Sequence, residues 1–230
     1  MMEHLLGIRG STIPSNLDDT STSKIQENVP KMNNADYLVA FSGLSKSYCV
    51  GLVDMVNSTK ISAKMNEIDW CRYYEIFLNS MARILPRFGG KVIKNQGDSL
   101  LYYFPETSKS TKSSFSDCIE SSLSMIQERT AICKELKKKG LPMLDFRISL
   151  DYGRVVLMTT SESSSYDLIG PPVNMCAKIN HSAPTNGVVI GGDLYQNVKI
   201  FDRYKFPQKK GFSIGLKYSY PVYGVLRSGI

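Results

Sequence analysis

The sequence feature that most constrains the fold and function of this chain is a pair of short runs of strand-forming residues, each ending at an aspartate. The first run lies in residues 50–59 and contains Asp54, and the second lies in residues 91–99 and contains Asp98. Short aliphatic and β-branched runs of this kind predict strands. A carboxylate at the end of a buried strand is badly placed for an apolar core and well placed to hold a cation. If the two strands are neighbours, the pair can hold a divalent metal over a phosphate chain.

The order of the predicted elements indicates an α+β fold. A strand and helices are followed by two hairpins that flank a long helix, and then by a further helix and strand. We therefore expect a ferredoxin-like sandwich, with a mainly antiparallel sheet and helices packed on one face. The predicted strands are 48–55, 91–96, 99–104, 145–150, 154–159 and 188–190. The strands 145–150 and 154–159 are expected to form a second hairpin that turns at residues 151–153. The predicted helices run from Ser58 or Thr59 to 65, from Asp69 as the cap to Gly89, from 115 to 139 and from 174 to 182.

Composition predicts one domain with a polar N-terminal tail. Residues 1–36 are rich in Ser, Thr, Asn and Asp and are expected to form a flexible tail or linker, whereas residues 37–230 form the domain. No stretch approaches the roughly 18 apolar residues of a membrane helix, so a cytoplasmic protein is expected. Five scattered cysteines and only two histidines argue against a zinc cluster, a disulfide framework or a Ser/His/Asp triad.

The two aspartates have alternative explanations when each is considered alone. Asp98 follows a glycine at a hairpin turn, and Asp54 is compatible with capping a helix. Together they favour a metal site, because the first and second strands of such sheets are commonly adjacent. Mg²⁺ prefers a few hard oxygen ligands completed by substrate phosphates. Asn57, Ser58 and Thr59 then present backbone N–H groups beside the metal, where they attract phosphate, although simple N-capping by Ser58 or Thr59 explains them as well.

A third stretch, residues 166–178, completes a resemblance. Together with the two aspartate runs it resembles the catalytic domain of the class III adenylyl and guanylyl cyclases, of the microbial adenylyl type, from about Tyr48 to about Val225. The resemblance implies an adenylate cyclase, which makes 3′,5′-cyclic AMP and pyrophosphate from ATP. It also implies two Mg²⁺ or Mn²⁺ ions per site, held by Asp54 and Asp98.

The same resemblance assigns the substrate contacts. Lys94 stands where adenylyl members carry a base-reading lysine and guanylyl members a glutamate, and Asp167 stands where the adenine amino group is read. Asn174 matches the asparagine that orients the ribose. Lys210 resembles a lysine that holds the β- and γ-phosphates. Lysine and aspartate suit adenine, because the ammonium donates to a ring nitrogen and the carboxylate accepts from the exocyclic amine.

Lys178 departs from the family pattern, which has a transition-state arginine at this place. Arginine presents a rigid fork to phosphate oxygens, whereas lysine offers one charge on a flexible stem, so slow turnover is expected. Two alternatives therefore stay open: an inactive cyclase-like domain that binds nucleotide as a regulator, and a guanylate cyclase. A third, an RNA-binding sandwich, depends only on the net charge of +7 and an imperfect motif at residues 210–214.

The resemblance also implies the partners of the chain. In the family, the metal aspartates of one protomer face the base- and ribose-binding residues of the other, so a head-to-tail homodimer with ATP as substrate is expected. The favoured hypothesis includes no nucleic-acid partner and no membrane. The signal or regulatory partner that activates the enzyme is not indicated by the residues.

Overall fold

The computed structural model describes residues 38–160, 163–209 and 220–229. The predicted tail, residues 1–36, lies outside the described residues. No helix in the described part of the chain is long and apolar enough to cross a membrane. The elements, in chain order, are β1 (Val39–Met55), α1 (Ser58–Ser62), α2 (Glu67–Ile84), a 3₁₀ helix (Leu85–Phe88), β2 (Lys91–Gln96), β3 (Ser99–Phe104), a second 3₁₀ helix (Pro105–Lys109), α3 (Lys112–Lys138), β4 (Phe146–Thr160), β5 (Ser163–Ile169), α4 (Pro171–Asn180), β6 (Gly187–Gly191), α5 (Gly192–Val198), β7 (Tyr204–Lys205), β8 (Val222–Gly224) and β9 (Leu226–Arg227).

One seven-stranded sheet organises the described residues. The strand order is β2-β3-β1-β4-β6-β8, and β5 pairs with the free side of part of β4. All pairs are antiparallel except β4 with β6. The expected α+β fold with a mainly antiparallel sheet is confirmed.

The sheet is covered on both faces because its central strand is apolar on both. Along β1, Cys49 and Val53 point into the main core, whereas Val50 and Leu52 point to the opposite face. Helices α2 and α3 cover the main core, whose fully buried side chains include Phe77 of α2. Helix α4 lies on the opposite face.

Buried hydrogen bonds attach α4 to the sheet. The Cys176 thiol lies 3.3 Å from the carbonyl oxygen of Val50, and the Asn180 side-chain amide lies 3.4 Å from that of Leu52. Buried donors with partners of this kind hold a helix in one register. The orientation of α4 relative to β1 is therefore defined at both points.

The prediction of a second hairpin turning at residues 151–153 is wrong. Strand β4 continues through these residues, because Asp151 pairs with Val50 and Gly153 pairs with Tyr48 of β1. Local turn propensity is outweighed by pairing with a 17-residue neighbouring strand. The chain reverses after Thr160, and β5 returns along β4.

The start of α2 also differs from the sequence prediction. The N-cap is Asn66, whose side-chain oxygen accepts from the Asp69 backbone N–H at 2.9 Å, so Asp69 is not the cap but lies in the first turn. Asparagine and aspartate both suit a helix start, and here Asn66, three positions before Asp69, is the cap. The chain then leaves the 3₁₀ helix at Gly89 with a φ of +70°, as expected for a glycine stop.

A buried carboxyl group links β4 to helix α5 and to the segment before β8. Asp151 is 2% exposed and accepts hydrogen bonds from the Leu194 backbone N–H at 3.3 Å and from the Tyr220 hydroxyl at 2.8 Å. Burial raises its pKa to about 6, although these donors stabilise the carboxylate. Near neutral pH, burial of the charged Asp151 carboxylate is therefore unfavourable in free energy.

We expect this carboxyl to make stability depend on pH. Its folded pKa of about 6 lies above the unfolded value of about 3.9, so the native state binds more protons between these values. Its stabilising contribution is present below about pH 4 and is lost as the pH rises through 6. Relative to Asp151→Asn, the wild-type unfolding free energy should fall by about 2–3 kcal/mol from about pH 4 to about pH 7, measured by urea unfolding. A difference that does not change with pH would contradict this assignment.

Candidate functional site

The fold brings Asp54 and Asp98 to one edge of the sheet. Asp54 pairs with Ser99 in the β1–β3 register, and the Met55 backbone N–H donates to the carbonyl oxygen of Asp98 at 3.2 Å. The neighbour of β1 is thus β3 rather than β2, but the β2–β3 turn places Asp98 at the same edge. Both side chains are half-buried and line an open cleft of about 330 Å³.

The electrostatics of the cleft favour a bound cation. Burial and the nearby Asp98 carboxylate together raise the pKa of Asp54 to about 6, although His181 and Arg147 oppose the shift. Two carboxylates that repel each other are stabilised by a shared cation. In the described residues no group of three or more His, Cys, Asp and Glu side chains is placed to hold a metal ion. Two carboxylates by themselves supply the hard oxygen ligands that suit an ion such as Mg²⁺, completed by water and phosphate oxygens.

The residues after Asp54 form one wall of the cleft. Asn57, Ser58 and Thr59 line it, and Asn57 has left-handed backbone angles with a φ of +59°. Asparagine tolerates this conformation better than most residues other than glycine. Asn57 is the N-cap of α1 and its side chain makes no capping hydrogen bond, so the capping explanation for Ser58 and Thr59 is wrong. Their position beside the two carboxylates agrees with a role toward phosphate.

Lys94 and Asp167 meet directly. The Lys94 ammonium contacts the Asp167 Oδ2 atom, and the Leu168 backbone N–H donates to Asp167 Oδ1 at 2.8 Å. The Lys94 side chain is 37% exposed and that of Asp167 is 22% exposed, so both groups remain reachable by a ligand. Residues 73 positions apart in the chain are brought together because β5 approaches β2.

Asn174 and Lys178 lie outside the cleft that contains the two aspartates. Both are exposed on α4, four residues apart, and therefore on one face of the helix. Neither lines the cleft that contains Asp54 and Asp98, and neither do Lys94 and Asp167. Within one chain, the structure thus separates the metal-binding candidates from the base- and ribose-binding candidates. Lys210 lies outside the described residues.

Sequence reasoning missed three basic residues of the cleft. Arg147, His181 and Lys60 line it together with the two aspartates. Arg147 pairs with Asp54 across β1 and β4, and its Nε atom is buried without a hydrogen-bond partner among the described residues. No local pattern marks Arg147 or His181, because only the strand register and the end of α4 place them here. The cleft is therefore a pair of carboxylates beside cationic groups, which suits a metal–polyphosphate ligand.

Known proteins are similar to this chain in sequence and in fold. The sequence profile of the adenylate and guanylate cyclase catalytic domain matches residues 43–223. The cytidylate cyclase of Staphylococcus aureus is 23% identical over 179 residues, which cover 74% of this chain and 42% of that protein. The chain thus spans less than half the length of this curated relative.

Solved structures share the fold. The adenylyl cyclase CyaB of P. aeruginosa superposes with a TM-score of 0.73 and 18% identity, covering 80% of this chain and 96% of that one. A dimeric guanylyl cyclase domain of the RhoGC fusion protein, from the aquatic fungus Blastocladiella emersonii, gives a TM-score of 0.66 and 18% identity, covering 80% and 99%. At these identities the likeness concerns the fold alone, since one fold serves many functions.

Proposed function

Because the chain belongs to the adenylate and guanylate cyclase catalytic domain family, we propose that it is an adenylate cyclase that converts ATP into 3′,5′-cyclic AMP and pyrophosphate. The observation that carries this choice of base is the contact between Lys94 and Asp167. An ammonium beside a carboxylate presents a donor next to an acceptor. The adenine edge presents the complementary pair, an acceptor at N1 and an amine at N6.

The cleft with Asp54 and Asp98 is proposed to receive the phosphates. Mg²⁺ or Mn²⁺ bound by the two carboxylates would supply a Lewis acid that acidifies the ribose 3′-hydroxyl and neutralises phosphate charge. Arg147 and the backbone N–H groups at Asn57 to Thr59 would bind the polyphosphate from the sides. The 3′-hydroxyl would lose its proton to water, and its oxygen would form a bond to the α-phosphorus as the bond to the pyrophosphate oxygen breaks.

Asn174 and Lys178 are proposed to act on the sugar and the α-phosphate. Asn174 would orient the ribose by hydrogen bonding, and Lys178 would offset the charge that builds on the α-phosphate in the transition state. A single flexible ammonium stabilises that charge less well than a guanidinium, so low turnover is expected. Both residues are exposed, so we expect their substitution to change activity more than stability.

A homodimer accounts for the separation of the two residue groups. Neither Lys94 nor Asn174 lines the cleft of the same chain, so a nucleotide held there needs its base and ribose contacts from elsewhere. A second copy supplies them if the protomers pack head to tail. The guanylyl cyclase domain of RhoGC, which shares the fold, is described both as a non-canonical dimer and as a monomer, so the proposal depends on the separation of the two residue groups. Each dimer would then contain two sites.

Cytidylate cyclase is the second candidate. Cytosine presents an acceptor at N3 beside an amine at N4, the same pair that adenine presents, so Lys94 and Asp167 suit CTP as well. The staphylococcal relative bears this name. Guanine and uracil present a carbonyl where an amine is needed, and this carbonyl would face the Asp167 carboxylate. The contact therefore disfavours GTP and UTP.

Incubation of the protein with each of the four nucleoside triphosphates, with Mn²⁺ or Mg²⁺, tests the proposal. We expect cyclic AMP from ATP, identified by chromatography and mass spectrometry. Cyclic CMP as the main product would establish the second candidate instead. Cyclic GMP as the main product would contradict the role of Lys94 and Asp167. Saturable ATP binding without any product would identify a regulatory domain.

A further inference from the structure

We propose that His181 binds the polyphosphate of the nucleotide in the cleft formed by Asp54 and Asp98. The proposal rests on the function proposed above and adds one residue to the site. His181 lines this cleft and is exposed to solvent. It is the C-cap of α4, so its position is defined by where that helix ends.

The end of α4 is fixed to the strand that carries Asp54. Asn180, the residue before His181, is 2% exposed, and its side-chain amide donates to the Leu52 carbonyl oxygen at 3.4 Å and to the Ser149 hydroxyl at 3.2 Å. Leu52 lies two residues before Asp54. The backbone of His181 is therefore held at the cleft by buried contacts on the neighbouring strands, while the residue itself is exposed to solvent and accessible to a ligand.

His181 also continues a row of exposed residues along α4. Asn174, Lys178 and His181 follow one another at spacings of four and three residues, which places them on one face of the helix. The first two are the proposed ribose and α-phosphate contacts. The last residue of this row, His181, lines the cleft that contains Asp54 and Asp98 of the same chain. In the proposed dimer this helix therefore contributes to both sites, because Asn174 and Lys178 would face the nucleotide of the other protomer and His181 would face the nucleotide in the cleft of its own chain.

Phosphate is the ligand chemistry that fits His181 best. The cleft already contains an arginine, Arg147, and both groups lie close enough to Asp54 to lower the pKa of its carboxyl. Among the described residues, His181 forms no group of three with the two aspartates that could hold a metal ion. An imidazole carries at least one N–H donor in either protonation state, so it donates to a phosphate oxygen without requiring a change of charge.

Binding of pyrophosphate with Mn²⁺, followed by calorimetry, tests the proposal without turnover. We expect His181→Ala to weaken binding about fivefold, as for loss of one exposed hydrogen bond to a charged group. His181→Gln keeps an N–H donor and should recover part of the loss. In steady-state kinetics, His181→Ala should raise KM for the nucleotide about fivefold and change kcat less than about twofold.

Lys199→Ala is the matched control. Lys199 is also a basic C-cap residue, at the end of α5, and does not line the cleft. This variant should bind pyrophosphate as the wild type does, and thermal unfolding should show that all three variants fold. If the wild type binds pyrophosphate with Mn²⁺ and His181→Ala binds equally well, the role of His181 is overturned while the proposed function stands. If the wild type binds neither pyrophosphate nor nucleotide, both fail.

Discussion

Replacement of Asp98 or Asp54 by asparagine is expected to lower kcat/KM by on the order of 10³-fold, because an amide binds Mg²⁺ or Mn²⁺ much less strongly than a carboxylate does. The structure places both carboxylates at one cleft, through the pairing of Asp54 with Ser99. Removing either one leaves a single charged ligand. The measurement is the initial rate of cyclic nucleotide formation over a range of Mn²⁺ concentrations.

The loss of activity in these variants should be separable from any effect on folding. The Asp54 carboxylate is already disfavoured, since burial and Asp98 raise its pKa to about 6, so Asp54→Asn should not lower the unfolding free energy at neutral pH. Asp193→Asn serves as the control, because Asp193 is an exposed acidic residue in the first turn of α5 and lies outside the cleft. Activity retained in Asp98→Asn at low Mn²⁺ concentration would contradict the assignment of the metal site.

The strands that could be predicted from sequence are those with a local apolar signal. Strands β2 and β3 have the bounds expected from their composition and from the turn at Gly97. Strand β4 was not predictable as one element, because Asp151 and Gly153 are turn-forming residues. Their extended conformation is imposed by pairing with β1, a contact between residues about 100 positions apart in the sequence. Secondary-structure propensity reflects only residues that are close in sequence, so it contains no information on such a pairing.

The residues of the candidate site also divide into those that could be identified from the sequence and those that could not. Asp54 and Asp98 could be identified because each ends a recognisable strand, and the pairing of Lys94 with Asp167 followed from the resemblance to the cyclases. Arg147 and His181 carried no such signal. The pairing of β1 with β4 places Arg147 opposite Asp54, and the end of α4 places His181 at the cleft. The missed residues are thus those whose role depends on register and helix packing.

Exchange of the two base-reading charges is the second substitution with a large expected effect. In Lys94→Glu with Asp167→Lys, the ion pair and the net charge are kept, but the donor and the acceptor change places. Guanine then finds an acceptor for its N1–H and amino group and a donor for its carbonyl oxygen, whereas adenine faces two mismatched groups. Each mismatched hydrogen bond to a charged group costs about 1.5–3 kcal/mol, so the ratio of kcat/KM for ATP to that for GTP should fall at least about 100-fold.

This exchange separates base recognition from a structural role for the ion pair. If Lys94 and Asp167 only joined β2 to β5, the exchanged pair would preserve that link and leave the order of substrates unchanged. If they read the base, the exchange should impair ATP and CTP together, because both bases present an amine beside a ring acceptor. The four kcat/KM values of the exchanged enzyme, measured beside those of Lys94→Glu alone, distinguish these outcomes. An exchanged enzyme that still prefers ATP over GTP would remove the main argument for amino-base recognition by this chain.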